Sequence, residues 1–368
     1  MVGMRILLVS TPVSPIGAGD GGGVETLVAL LAPELRRSGH AVGVIAPAGS
    51  HLPGGVPVHE IAGASPPSAT TGAREGAPIA QSDGVLERMW EEARRLAPQH
   101  DIIIALTYDW LSYYLTPFLP IPVLHLVTLP SLIEAVDAEI REQYARRPDH
   151  FAFCSRTQAS TFPFVDARQA RIIPLAVNKD QFAFSGWTEP ILVWAARISP
   201  EKGLEDAVAA ALKTGMPLHV CGKIQDRQYW ERIISSTPEG AIVYHGFLLH
   251  ERLAQVLGKA KAMLATPKWV EAFGLSVIEA LACGTPVIAY EMGGPGEIIE
   301  HGKSGLLIRP DDVEGMAEGI REIGNLDRRD ARRRAEEYSA AHMAENVEQW
   351  ADSVLQLEGH ARARGAGQ

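Results

Sequence analysis

Short, continuously apolar runs at 6–9, 42–46, 102–106, 123–127 and 151–154 alternate with helix-like stretches, a rhythm that few folds accept. A strand with one solvated face alternates apolar and polar residues. Unbroken runs need cover on both faces, so these predict a parallel sheet wrapped by helices. The rhythm restarts at 191–195 and continues at 218–221, 242–244, 262–265 and 287–290. The pattern predicts an α/β chain of two doubly wound domains in tandem, which 368 residues accommodate at roughly 100–200 per domain. The domains read as 1–180 and 181–338, followed by a C-terminal helix and tail at 339–368. Pro174 and Asn178 break the connection, and the hinge is placed at 178–185.

Within the first domain, residues 63–84 are rich in Pro, Ala, Ser, Thr and Gly without apolar period. They predict a long mobile loop, either a lid over a substrate or slack. Met343, Val347, Trp350, Val354 and Leu357 are three or four apart, predicting a helix over 340–357 whose stripe needs cover, by packing back on the first domain. Residues 361–368 read as a frayed tail. Lys plus Arg number 34 against 44 Asp plus Glu, a net charge of −10, and no basic patch suggests a nucleic-acid partner. The run Arg332-Arg333-Arg334, answered by Glu336 and Glu337, reads as a solvated helix face. Cys154, Cys221 and Cys283 are odd in number, far apart and set in apolar stretches, as buried free thiols in a reducing compartment would be. No apolar run approaches the ~18 residues of a membrane span, and the short apolar opening is not a signal sequence. The expectation is a soluble cytoplasmic protein, with peripheral membrane contact and oligomeric state left open.

Gly17, Gly19, Gly21, Gly22 and Gly23 lie between the first strand and a helix predicted over 24–37. Glycines there let the backbone approach a phosphate, which helix amides favour; a plain strand-to-helix turn is the alternative. Gly17, Gly19 and Gly22 fit G-x-G-x-x-G, but the second strand ends in Ala46-Pro47-Ala48-Gly49, without the acidic residue that would hold a ribose, which weighs against a dehydrogenase. In the second domain Arg197 closes a strand and Lys202 precedes a helix beginning near Gly203. Two cations there make a place for a diphosphate, or are surface charges. Glu271, on a loop, can accept from sugar hydroxyls; Glu279, in the following helix, can take both hydroxyls of a ribose. Gly274 lets main-chain amides face a ligand; a solvated helix pair is the alternative for the two glutamates. No cluster has metal-ligand spacing, so neither metal nor cofactor is expected.

These segments resemble the retaining nucleotide-sugar glycosyltransferases of family four. The likeness rests on Ala196-Arg197-Ile198-Ser199-Pro200-Glu201-Lys202-Gly203, the Glu271 and Glu279 pair, residues 280–289, Gly293-Gly294 through Glu297, and 302–305. In the first half it rests on Gly21-Gly22-Gly23-Val24-Glu25 and 173–178. The resemblance implies a GT-B fold of two facing Rossmann-like domains. It implies that Arg197 and Lys202 neutralise the donor pyrophosphate, that Glu271 holds the donor sugar, that Phe273, Gly274 and Leu275 lend main-chain contacts, and that Glu279 binds the ribose. Gly22 and Gly23 would face the phosphates from the other domain. Transfer would retain configuration without an obligatory metal, the leaving phosphate helping to deprotonate the acceptor. Thr128 stands where many members carry a histidine near the sugar, with His125 falling earlier, inside the strand, as a catalytic candidate or a core histidine. Tyr108 likewise replaces a histidine before Asp109-Trp110.

A closer resemblance is to the UDP-glucose:tetrahydrobiopterin glucosyltransferases, carried by Val9-Ser10-Thr11-Pro12-Val13, 46–54, Tyr108-Asp109-Trp110-Leu111, 114–118, 201–210 and 269–274. It implies UDP-glucose as donor and a reduced pterin as acceptor, contacted by Tyr108, Asp109, Trp110, His125 and Thr128. Tyr113 and Tyr114 could add flat walls, unless these aromatics simply pack a helix on the sheet. Other readings are the same chemistry with another donor and a natural-product, lipid or polysaccharide acceptor, a sugar-nucleotide epimerase, and a non-catalytic sugar-nucleotide sensor.

Overall fold

Ile6, Leu7, Leu8 and Val9 are each 0% exposed, as an unbroken apolar run covered on both faces requires. The computed structural model describes residues 3–17, 22–66, 69–76 and 83–365. Gly19 and Gly21 of the glycine turn, 67–68 and 77–82 of the 63–84 segment, and 366–368 of the tail lie outside the described residues. The chain divides into unit 1, Met1–Leu175 with Ala340–Gln368, and unit 2, Ala176–Ser339.

Unit 1 holds β1 (Arg5–Val9), β2 (Ala41–Pro47), β3 (Val58–Ile61), β4 (Ile102–Ala105), β5 (Val123–Val127) and β6 (Phe151–Phe153). They pair in parallel in the order β3-β2-β1-β4-β5-β6, with Leu8 opposite Val44 on one side and Ile104 on the other. Its helices are α1 (Gly23–Arg37), α2 (Val85–Leu96), α3 (Trp110–Leu115), α4 (Glu134–Arg146) and α5 (Arg156–Ala159). Unit 2 repeats the plan with β7 (Leu192–Ala195), β8 (Leu218–Cys221), β9 (Ile242–Gly246), β10 (Ala262–Ala265), β11 (Val287–Tyr290) and β12 (Gly305–Ile308), ordered β12-β11-β10-β7-β8-β9. Around that sheet run α6 (Leu204–Thr214), α7 (Arg227–Ser235), α8 (His250–Lys259), α9 (Leu275–Ala282), α10 (Gly294–Ile298), α11 (Val313–Glu322) and α12 (Arg328–Glu336). Strand order reverses between β1 and β4 and between β7 and β10, which opens a ligand crevice beyond the strands' carboxyl ends in each unit.

The sequence reading did not place the edge strands β3 and β12. Val58-His59-Glu60-Ile61 is half-exposed and interrupted by polar residues, so it gives no unbroken signal; β12, Gly305-Leu306-Leu307-Ile308, is a short apolar run that the sequence reading passed over. The final helix, α13 (Ala340–Gly365), returns to unit 1 and packs on α1. Met343, Val347, Trp350 and Val354 are buried, whereas Leu357 is 57% exposed. The Trp350 indole donates to the Asp149 carbonyl at 2.8 Å. The helix continues to Gly365, beyond the expected start of fraying at 361. The described part of the 63–84 segment carries a 3-10 turn at Ala69–Thr71, and Arg74 is tied to the Ser131 carbonyl at 3.2 Å.

The three cysteines are free and buried. The arginine run is a solvated face in part: Arg333 is exposed, and Arg332 and Arg334 pair with Glu336 and Glu337, but these two also reach inward. Arg332 donates to the Phe182 and Ala282 carbonyls at 2.8 and 2.5 Å, and Arg334 to the Ile298 carbonyl at 2.6 Å. Their guanidinium groups satisfy one loop carbonyl and the last carbonyls of α9 and α10, which α12 would otherwise bury unpaired. Arg328, one turn earlier, binds Ser185, Ala260 and Gly258 carbonyls at 2.7, 2.9 and 2.9 Å.

Candidate active site

In unit 2 the crevice is built by close backbone approaches. Gly222, at φ 149°, has no room for a Cβ, which would lie 1.8 Å from the Ala196 carbonyl oxygen beside Arg197. Gly203, at φ 65°, caps α6; its Cβ would lie 2.0 Å from the Thr266 carbonyl oxygen. The loops after β7 and β10 are therefore pressed together, and the Thr266 hydroxyl fixes them by donating to the Gly203 carbonyl at 2.7 Å. Lys202, on the first loop, and Glu271, on the second, form an ion pair with side chains only 13% and 19% exposed. The Trp269 indole donates to the same Glu271 oxygen at 3.1 Å, and the Lys202 ammonium lies 4.7 Å from the Trp269 ring centroid. Burial pushes the Glu271 carboxyl up, but Lys202, the indole N–H and Arg197 outweigh it and hold the group below the usual carboxylate range.

Arg197 donates to Gln225 Oε1 at 2.5 Å and lies 3.4 Å from Glu201, which accepts from Ser199 at 2.6 Å. Gly274, at φ 103°, caps α9, and Phe273 before it is 3% exposed. The Glu271 loop is locked from behind by Gly293 and Gly294, whose Cβ atoms would lie 2.1 Å from the Glu271 and Phe273 carbonyl oxygens respectively. Glu279, in α9, has no hydrogen-bond or ion-pair partner among the described residues, and burial lifts its pKa to about 7. A half-buried carboxyl left unpaired at this place is free to accept from a vicinal diol.

In unit 1, Tyr108 and Asp109 follow β4, and Thr128 follows β5. Tyr108 donates to Asp137 at 2.9 Å and accepts from the Leu132 amide at 2.9 Å, which fixes it to the start of α4. Asp109 caps α3 by accepting from the Ser112 amide at 2.8 Å, while its buried Oδ2 has no hydrogen-bond partner among the described residues. Burial lifts the Asp109 pKa to about 6 against the Ser112 amide and the nearby Thr107 hydroxyl. Ser10 Oγ, after β1, is also buried without a hydrogen-bond partner among the described residues, and the buried Thr107 hydroxyl, after β4, stands beside the Asp109 carboxylate. Sequence reasoning did not single out these two hydroxyls, because Ser and Thr at strand ends are common. Trp110 lies 5.6 Å from Tyr114, ring centroid to ring centroid, and Tyr114 is 46% exposed. Tyr113 is 0% exposed and stacks in the core, so it supplies no wall.

His125 is not at a strand end. It lies inside β5, 1% exposed, with its ring 4.5 Å from Tyr113 and 5.2 Å from Phe151, and burial pushes its pKa down to about 3. This is the core-histidine alternative. Gly22 caps α1 and Gly23 opens it; burial raises the Glu25 carboxyl above the usual carboxylate range, and the nearby amides of Glu25, Gly22 and Ser14 oppose it.

The family model described as Glycosyltransferase Family 4 matches residues 21–181, and that described as Glycosyl transferases group 1 matches 177–342. The chain belongs to this glycosyltransferase family. The D-inositol 3-phosphate glycosyltransferase of Nocardia farcinica is 27% identical over 99% of this chain and 92% of its own length. The glycogen synthase of Mycobacterium tuberculosis is 32% identical over 36% of this chain; the match spans 33% of that relative. The crystal structure of Anabaena HepE in complex with UDP and glucose superposes with a TM-score of 0.76 at 17% identity, covering 95% of this chain and 100% of that one. That likeness shows the two-domain GT-B fold. No helix among the described residues of this glycosyltransferase family member is long and apolar enough to cross a membrane.

Proposed function

We propose that the protein transfers a sugar, glucose in the first instance, from a UDP-sugar to a small acceptor with retention of configuration, and that the acceptor is a reduced pterin. The reading is carried by one juxtaposition: the Lys202–Glu271 pair at the β7/β10 crevice, with the unpaired, protonatable Glu279 on the helix that follows. In this reading Lys202 turns from Glu271 to the donor diphosphate, joined by Arg197. Glu271 accepts from the donor sugar hydroxyls and Glu279 from the ribose diol. Gly274 keeps the first amides of α9, with Phe273 and Leu275 beside them, open to the ligand.

The bond from the sugar anomeric carbon to the β-phosphate oxygen breaks as the acceptor oxygen bonds to the same face of that carbon. The acceptor proton passes to the departing phosphate oxygen, and UDP leaves. Fixed cations meet the charge as it develops, so the protein's part is electrostatic placement, with no metal and no cofactor required. Ser10, Thr107, Asp109 and Thr128 are the polar groups offered to the acceptor, with Trp110 and Tyr114 as flat surfaces. The pterin and the glucose rest on the sequence segments that resemble the pterin glucosyltransferases. UDP release measured over a panel of UDP-hexoses, with and without EDTA, and proton NMR of the product's anomeric centre test the reading. It expects UDP-glucose to be preferred, EDTA to be without effect and the anomer to be retained. An inverted anomer or a strict metal requirement would overturn the mechanism.

A further inference from the structure

Trp269, on the loop after β10, touches both members of the Lys202–Glu271 pair. Its indole N–H donates at 3.1 Å to Glu271 Oε2, the oxygen that Lys202 also binds, and its ring centroid lies 4.7 Å from the Lys202 ammonium. Glu271 Oε1 accepts from no described residue, and the side chain is 19% exposed, so it is open to a ligand. We propose that Trp269 is a positioning residue for sugar transfer: when Lys202 turns to the donor diphosphate, the indole N–H keeps Oε2 and aims Oε1 at the sugar hydroxyls. This role rests on the proposed donor site.

What Glu271 keeps when its cation leaves decides how it meets the sugar. Breaking a buried pair strands the remaining charge, and a stranded carboxylate takes up a proton or turns away. Lys202, the indole N–H and Arg197 together hold the Glu271 carboxyl below the usual carboxylate range. Two of the three are cations, which a diphosphate draws to itself. The third is neutral and feels no such pull. An indole N–H is a donor only, so it cannot leave the carboxylate to accept from a ligand hydroxyl.

The backbone fixes Trp269 from both sides. The Lys268 amide donates to the Glu201 carbonyl at 2.8 Å, and the Lys268 ammonium pairs with Asp206 of α6 and, at 2.5 Å, with Asp311. On the far side the Glu271 carbonyl accepts from the Gly294 amide at 2.8 Å. A ring with two torsions, carried between fixed points, needs little ordering to stay on its acceptor.

Titration calorimetry with UDP and with UDP-glucose tests the role, because the second ligand brings the sugar that Glu271 would hold. Trp269→Phe keeps a ring for Lys202 and removes the donor. Trp269→Leu removes both, and the result is read in whichever variant keeps the circular dichroism of the parent. The ratio of the UDP-glucose to the UDP association constant should fall roughly tenfold or more, as for loss of a hydrogen bond to a charged acceptor. In a Glu271→Ala background the same change should move that ratio by no more than about twofold, since the indole then has no carboxylate to hold. A ratio unchanged in a folded variant overturns the role, and so does a tenfold fall that persists in the Glu271→Ala background. The donor site fails separately, and takes the role with it, if the parent protein binds neither ligand.

Discussion

Glu279→Gln separates the cost of the site from its use. Burial without a partner lifts the Glu279 pKa from the ordinary 4.5 to about 7. The folded chain therefore holds this proton more tightly than the unfolded chain. The stability that comes with the proton is complete below about pH 4.5 and is lost as pH rises through about 7. At ~1.36 kcal/mol per pKa unit, charging Glu279 costs folding about 1 kcal/mol at pH 5 and about 3 kcal/mol at pH 8. Glutamine has nearly the same shape and no charge, so the variant escapes that cost. Urea titrations of both proteins should show the variant more stable by about 3 kcal/mol at pH 8 and by no more than about 1 kcal/mol at pH 5. Its affinity for UDP should fall roughly 10- to 100-fold, since hydrogen bonds to a charged acceptor contribute about 1.5–3 kcal/mol. A variant no more stable at pH 8 than the parent would refute the reasoning, because Glu279 would then have a partner or lie in water.

Lys202→Ala removes the cation that holds Glu271 ionised; steady-state UDP release should drop by roughly two to three orders of magnitude, as for loss of one transition-state donor. Gly294→Ala places a methyl where 2.1 Å separates it from the Phe273 carbonyl oxygen, so the Glu271 loop must move. Calorimetry should then record a loss of UDP-sugar binding although position 294 donates no side chain to it. Arg328→Ala strips the carbonyls of Ser185, Ala260 and Gly258 of their side-chain donor. With about 1–3 kcal/mol for each buried group left unpaired, thermal unfolding should move down by several degrees or more.

The strands that carry both crevices were legible because a covered parallel strand writes an unbroken apolar run, as in Ile102–Ala105 and Val287–Tyr290. Edge strand β3, Val58-His59-Glu60-Ile61, carries no such mark. Arg197, Lys202 and Glu271 could be singled out from motif and spacing, since each lies on a loop that follows a strand end or precedes a helix, where backbone geometry repeats; Glu279, midway along α9, was singled out by the motif alone. The orientation of a side chain inside an element is set by tertiary neighbours and leaves no local trace. His125 is the instance: its place in β5 is legible, but the stack with Tyr113 and Phe151 is made by residues far from it in sequence. Arg332 and Arg334 read as charge on a helix face because the carbonyls they bind, Phe182, Ala282 and Ile298, are tens of residues or more away. The Ser10 hydroxyl, without a partner among the described residues, is visible only once every neighbouring donor and acceptor has been placed.

Transfer at the Lys202–Glu271 centre is tested most directly by mass spectrometry of the products formed from UDP-glucose and tetrahydrobiopterin under anaerobic, reducing conditions. The purified protein should yield a pterin heavier by one hexose, with UDP released in step, and the Lys202→Ala protein should yield neither. A hexosylated pterin formed at an undiminished rate by the Lys202→Ala protein, or no UDP release from any nucleotide sugar by the parent protein, would contradict the account.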